Sequence, residues 1–275
     1  MKIGIFDSGL GGLIIARAIH KRMPEYDYVY FGDTKRLPYG NKSHEAVFEF
    51  TRQAVDYLFR RQNCAIVIIA CNTASARALR QIQQEYLPKN FPNKEDQRRV
   101  LGVLIPAAEE ASKYKRVGVL STYGTVASNT WEKEINKLNS QTEVFQVPAP
   151  MLVPLIEERE KKLAIPFIQK YLKPLMSKKL DALVLGCTHY PMLKKEIKNN
   201  MQIKNKQIQI ISQDEIIPPK LGRYLIRHRE IADRLSENGS MKILVTDKTQ
   251  NLSELVKKWF GNYAVEVISD SALSS

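Results

Sequence analysis

Little in this chain of 275 residues can serve as a staple: it has three cysteines, Cys64, Cys71 and Cys187, four histidines, and no CxxC or HxxxH pair. A sparse, odd cysteine set excludes a disulfide framework and predicts a reducing, cytoplasmic setting, and no ligand spacing points to a metal. Long apolar runs are also missing. The longest strongly apolar stretch, CAIVIIAC, is of strand length, far below the roughly 18 residues that span a bilayer, so no membrane partner is expected. The opening MKIGIFDSGLGG reaches an aspartate too early for a secretory signal. Its glycines have neither GxGxxG spacing nor a P-loop lysine, which leaves a phosphate cradle and a tight turn as equal readings.

Acidic residues are the minority, 29 against 42 basic, for a formal net charge of +13. The excess comes as scattered pairs such as Lys161-Lys162, Lys178-Lys179 and Lys194-Lys195, without a dense tract or interleaved aromatics. This reads as solvated helical surface. The field also suits an anionic small substrate, and nucleic-acid association is the weaker alternative.

What the chain does have is alternation. Short apolar runs predict strands at 2–6, 27–32, 64–70, 100–104, 116–121, 143–147, 181–186, 207–212, 242–246 and 264–268. Between them, helical periodicity predicts helices at 11–22, 43–62, 74–86, 125–138, 160–178 and 191–200. Apolar strands separated by helices imply an α/β fold with mainly parallel sheets covered on both faces.

The alternation repeats. KIGIFDSGLGG (2–12) resembles RVGVLSTYGTV (116–126), and AIVIIACNTASARAL (65–79) resembles ALVLGCTHYPMLKKE (182–196), at nearly the same offset. A duplicated unit follows, with two pseudo-symmetric lobes, one carrying Asp7 and Cys71 and the other Cys187 and His189. Ligands of open parallel sheets bind at the carboxyl ends of strands. Cys71, Cys187, Asp7, Ser8, Asp33, Ser121 and Thr122 all fall there.

If the lobes face each other, the two cysteines approach one cleft from opposite sides. Opposed thiols suit a stereochemical inversion in which one thiolate removes a proton from carbon and the other thiol returns one to the opposite face. Helix N-termini beside them are expected to favour thiolate from an ordinary pKa of about 8.5. Asp7 can assist Cys71, and His189 can assist Cys187. Asn72, Thr73 and Thr188 can hold carboxylates. The plainer alternatives are a strand-end structural role for His189 and a helix-start acid at Glu157; Cys64 reads as buried filler.

FDSGLGG (6–12), YFGDTKRLPYG (30–40), ACNTASA (70–76), MLVPLIE (151–157) and LGCTHYP (185–191), in this order, resemble the glutamate racemases. The resemblance implies a cofactor-independent enzyme that interconverts L- and D-glutamate for peptidoglycan synthesis in the cytoplasm, with the chain returning to the first lobe near its end, so that 1–100 plus 212–275 form one lobe and 101–211 the other. It implies Cys71 as the base towards D-glutamate and Cys187 as the base towards L-glutamate. Asp7 and His189 correspond to the assisting pair, and Asp33 and Glu157 to further active-site acids. Asp7-Ser8, Tyr39-Gly40, Asn72-Thr73 and Thr188-His189 correspond to substrate-binding positions. The implied partner is glutamate, with no membrane, no nucleic acid as main partner, and allowance for a homodimer. An aspartate racemase is the alternative within the superfamily, and a nucleic-acid-associated or gyrase-inhibiting protein the alternative outside it. Pro218-Pro219 depart from the family's uninterrupted helix, so the helix there is expected to begin near Pro219.

Overall fold

β-Branched and aromatic residues in short runs favour a pleated, buried backbone, and every run predicted as a strand is one in the computed structural model. The structure describes residues 1–201, 208–269 and 272–273. Its strands are β1 (Lys2–Asp7), β2 (Tyr28–Gly32), β3 (Cys64–Ile69), β4 (Arg99–Gly102), β5 (Arg116–Ser121), β6 (Glu143–Pro148), β7 (Ala182–Gly186), β8 (Gln209–Ile211), β9 (Met241–Val245) and β10 (Val265–Val267). Residue 207 of the expected eighth strand lies outside the described residues. The first helices are α1 (Gly12–Arg22), α2 (His44–Arg60), α3 (Asn72–Gln81), α4 (Leu87–Asn90) and α5 (Leu104–Ala111). Then come α6 (Tyr123–Ala127), α7 (Thr130–Leu138), α8 (Leu152–Glu157) and α9 (Lys161–Met176). The last are α10 (Lys194–Asn200), α11 (Gln213–Arg227), α12 (Arg229–Ala232) and α13 (Gln250–Trp259).

Two sheets result, one of order β10-β9-β2-β1-β3-β4 and one of order β6-β5-β7-β8. All their pairings are parallel. The segment β2-β1-β3-β4 has the same order as β6-β5-β7-β8, each strand standing for the one four places on. The repeat read from the sequence is therefore a repeat of topology. β9 and β10 extend the first sheet beyond β2.

Alternation along each strand splits the core. Ile3 and Ile5, Tyr28 and Tyr30, and Ile66 and Ile68 enter one cluster, which also takes Leu183 and Leu185 from the second sheet. Phe6, Val29, Phe31, Val67 and Ile69 enter a cluster on the opposite face. Because the first cluster contains strands of both sheets, burial of apolar surface joins the lobes as well as each lobe's own layers.

Three helical expectations need correction. The stretch 125–138 is two helices, since Asn129 has φ 52°, a left-handed value that asparagine tolerates and that ends a helix. The stretch 191–200 opens with a 3-10 turn over Tyr190–Leu193, and α10 starts only at Lys194. Finally, α11 begins at Gln213 and runs through Pro218 and Pro219. The carbonyls deprived of proline donors belong to Asp214 and Glu215, in a first turn open enough for water to serve them. Pro218 itself is buried against the core.

Candidate active site

In each half the chain leaves the sheet to opposite sides of its first strand, so a crevice opens at the carboxyl ends of β1 and β3, and again at those of β5 and β7. Asp7 ends β1 and Cys71 follows β3; Ser121 ends β5 and Cys187 follows β7. The cysteines therefore occupy equivalent places in the two lobes. They lie close enough for the charge of Cys187 to act on Cys71.

Each sulfur has its own attendants. Ser8 Oγ is 3.3 Å from Cys71 Sγ. Asp7 accepts the Gly9 N–H through Oδ2 at 3.0 Å, while its buried Oδ1 has no partner. On the other side His189 Nδ1 is 3.8 Å from Cys187 Sγ, and His189 Nε2 is 3.0 Å from Glu157 Oε1. The two sets meet electrostatically, since His189 and Glu157 both act on Asp7. Burial raises the Asp7 carboxyl, against the pull of His189 and the Gly9 and Gly12 amides.

Burial also decides the state of Cys71. Desolvation, then the Asp7 charge, push this thiol up to about 12, against the Ser8 hydrogen bond. Cys71 precedes the first residue of α3, yet the helix-end field does not prevail over loss of water, so the expected easy ionisation is corrected. For Cys187 the expected helix N-terminus is itself absent, because a 3-10 turn follows. Desolvation opposes charge on His189, but its hydrogen bonds with Cys187 and Glu157 outweigh it and push the ring up to about 10. The Glu157 carboxylate and the neighbouring Cys187 thus favour the protonated ring. Cys64, buried in the core beside β1, is pushed up to about 12 by desolvation and is chemically inert.

The last two glycines of DSGLGG answer a steric need. A Cβ on Gly11 would overlap the Thr188 hydroxyl and the His189 ring, and one on Gly12 would stand 2.6 Å from Asp7 Cβ. Their absence lets the 187–189 loop of one lobe rest on the start of α1 in the other. Neither original reading of that run, cradle or turn, described this close approach.

The remaining predicted positions are engaged within the protein. Asp33 is fully buried and accepts from Arg36 Nε at 2.7 Å, from Thr246 Oγ1 at 3.0 Å and from the Tyr39 hydroxyl. Tyr39 and Gly40 sit in a short 3-10 turn, and Gly40 faces Thr122, where a Cβ would lie 3.0 Å from Thr122 Cβ. Thr73 Oγ1 is 2.9 Å from Thr122 Oγ1 and 3.2 Å from Thr125 Oγ1. The Asn72 amide is paired with Gln213.

Three neighbours escaped the sequence reading. Thr125 occupies the place in the second half that Gly11 has in the first, so the repeat itself pointed to it. Trp259 of α13 meets the His189 ring edge-on, with centroids 5.8 Å apart. Gln213 carries no local signal.

Comparison with known proteins settles the family. A profile described as Asp/Glu/Hydantoin racemase matches residues 14–213. The chain belongs to this family. A glutamate racemase of Sulfurihydrogenibium sp. (strain YO3AOP1) is 35% identical over 283 residues, covering 100% of both chains. One from Aquifex aeolicus is 36% identical, over 95% of this chain and 94% of its own. Among solved structures, Francisella tularensis glutamate racemase in complex with D-glutamate superposes with a TM-score of 0.86 at 29% identity, covering 100% of this chain and 98% of its own. As a glutamate-racemase homologue, the protein is an isomerase. Among the described residues, no helix is long and apolar enough to cross a membrane.

Proposed function

We propose that this racemase interconverts L- and D-glutamate with Cys71 and Cys187 as its two bases and no cofactor, supplying D-glutamate for peptidoglycan in the cytoplasm. The observation that carries the reading is the equivalence of the two cysteines: each follows the same strand of a repeated sheet, and each has a polar attendant at its sulfur, Ser8 for Cys71 and His189 for Cys187. A lone nucleophile would need no such counterpart.

The chemistry balances without an outside reagent. One thiolate takes the α-proton, leaving its electron pair delocalised into the α-carboxylate. The opposite thiol gives its proton to the other face of the same carbon. One sulfur ends protonated and the other ionised, so the next turnover in the same direction needs the protons reset. His189, backed by Glu157, can exchange a proton with Cys187, and Asp7, with one free buried oxygen, can do so with Cys71. Backbone amides at the start of α3, the Ser8 and Thr188 hydroxyls and the Thr73 hydroxyl suit the two carboxylates. Asp33, its oxygens occupied by Arg36, Tyr39 and Thr246, serves by holding the Tyr39-Gly40 turn.

The same reading assigns 1–100 plus 212–275 to one lobe and 101–211 to the other. The pairing of β4 with β3 favours moving the first seam to just after Gly102.

The test is incubation of the purified protein with L-glutamate in deuterated water without pyridoxal phosphate. D-Glutamate labelled at the α-carbon is expected, with far slower turnover of aspartate. No α-exchange in either enantiomer rejects the proposal.

A further inference from the structure

Asn72 is the residue after Cys71, and its amide does not stand alone. Asn72 Nδ2 donates to Gln213 Oε1 at 2.7 Å, and Gln213 Nε2 donates back to Asn72 Oδ1 at 2.8 Å. The partners are 141 residues apart in sequence, and both are buried. Asn72 opens α3 and Gln213 opens α11. A third group joins them: Gln213 Nε2 also donates to the Val103 carbonyl at 3.2 Å, and Val103 is the residue just before α5.

That third bond gives the pair a direction. A backbone carbonyl can only accept, so Gln213 must turn its NH2 towards Val103. With Nε2 placed there, its Oε1 is left to receive Asn72 Nδ2, and Asn72 Oδ1 is left to receive Gln213 Nε2. If Gln213 reversed, its oxygen would face the oxygens of Val103 and Asn72 in a buried site. We infer that Gln213 is a positioning residue: through the Val103 carbonyl it dictates which end of the Asn72 amide is committed, and leaves the outer Nδ2–H of Asn72 free for a substrate carboxylate. This rests on the racemase reading above. An unguided Asn72 could turn its oxygen to the carboxylate instead, replacing attraction by repulsion.

The interaction would be with a carboxylate charged throughout the reaction, so its loss appears in KM more than in kcat. In Gln213→Ala, KM for both enantiomers should rise about tenfold, or about 1.4 kcal/mol, with kcat within about twofold. Gln213→Glu keeps the shape and replaces the donor by a carboxylate. Its KM relative to the parent should also be raised at neutral pH, and should fall as the pH is lowered and the side chain regains a proton to donate. A purely structural role would instead lower the melting temperature and the active fraction, leaving KM untouched. If Gln213→Ala fails to fold, the near-isosteric Gln213→Glu carries the test. A parent that racemises while a folded variant keeps its KM within twofold, or while the Gln213→Glu ratio ignores pH, overturns this inference alone. A parent without α-exchange overturns the racemase reading.

Discussion

Gly11→Ala should disable the site while leaving the fold almost intact. Gly11 has φ −58° and ψ −35°, ordinary for any residue. On backbone grounds alanine is welcome there, and a Gly→Ala change at such a position stabilises by about 0.4–1 kcal/mol through the unfolded chain. The objection is the neighbour. Its Cβ would stand 2.5 Å from His189 Cε1, whereas carbon pairs rest at about 3.5–4.0 Å, so the 187–189 loop and the start of α1 must separate by about 1 Å. Overpacking of this kind costs about 1–3 kcal/mol, leaving a net destabilisation of about 0–2.6 kcal/mol. Catalysis is more exposed, because a misplacement of about 1 Å can cost about 100-fold. We expect kcat/KM to fall about 100-fold in both directions, followed by polarimetry of D- and L-glutamate, with only a small shift in melting temperature. Gly222→Ala is the control, since the nearest atom to its Cβ would be Met23 Sδ at an ordinary 3.6 Å. A Gly11→Ala enzyme within threefold of the parent would refute the argument that the lobes close through this contact.

Other outcomes follow from the same geometry. Cys71→Ala and Cys187→Ala should each abolish racemisation, measured as optical rotation over time; full turnover in either removes that sulfur from the mechanism. His189 is raised from about 6.5 to about 10, so its contribution to stability is full below pH about 6.5 and is lost as pH rises through about 10. Glu157→Gln removes one partner and should lessen the decline in unfolding free energy across that window; equal slopes in urea titrations would contradict it. Asp33→Asn loses the charge that gathers three donors and should lower stability by about 3 kcal/mol, read by denaturant unfolding.

Short apolar runs separated by helical periodicity are enough to locate all ten strands, though not to say which strand pairs with which. The repeated context of Cys71 and Cys187 made their equivalent placement in the two sheets legible because both halves carry it in local sequence. Local sequence has no way to announce partners brought together late. Thr246 reaches Asp33 across 213 residues, and Gln213 reaches Asn72 across 141. Proline statistics misled at Pro218-Pro219, where core burial and a partly exposed first turn offset two missing donors. The expectation for Cys71 failed for a related reason: a helix end is visible in sequence, whereas the depth of burial that overrules it is set by tertiary packing, including residues as distant as Leu244 and Ile268.

Cys71 and Cys187 are each only 6% exposed. An alkylating reagent is therefore expected to react with them only when the packing around them opens, and the pace at which it silences the enzyme would be a clock for that opening. A bound amino acid that holds the halves together should slow the clock. On that expectation, admission of substrate and exclusion of solvent would be two phases of a single motion.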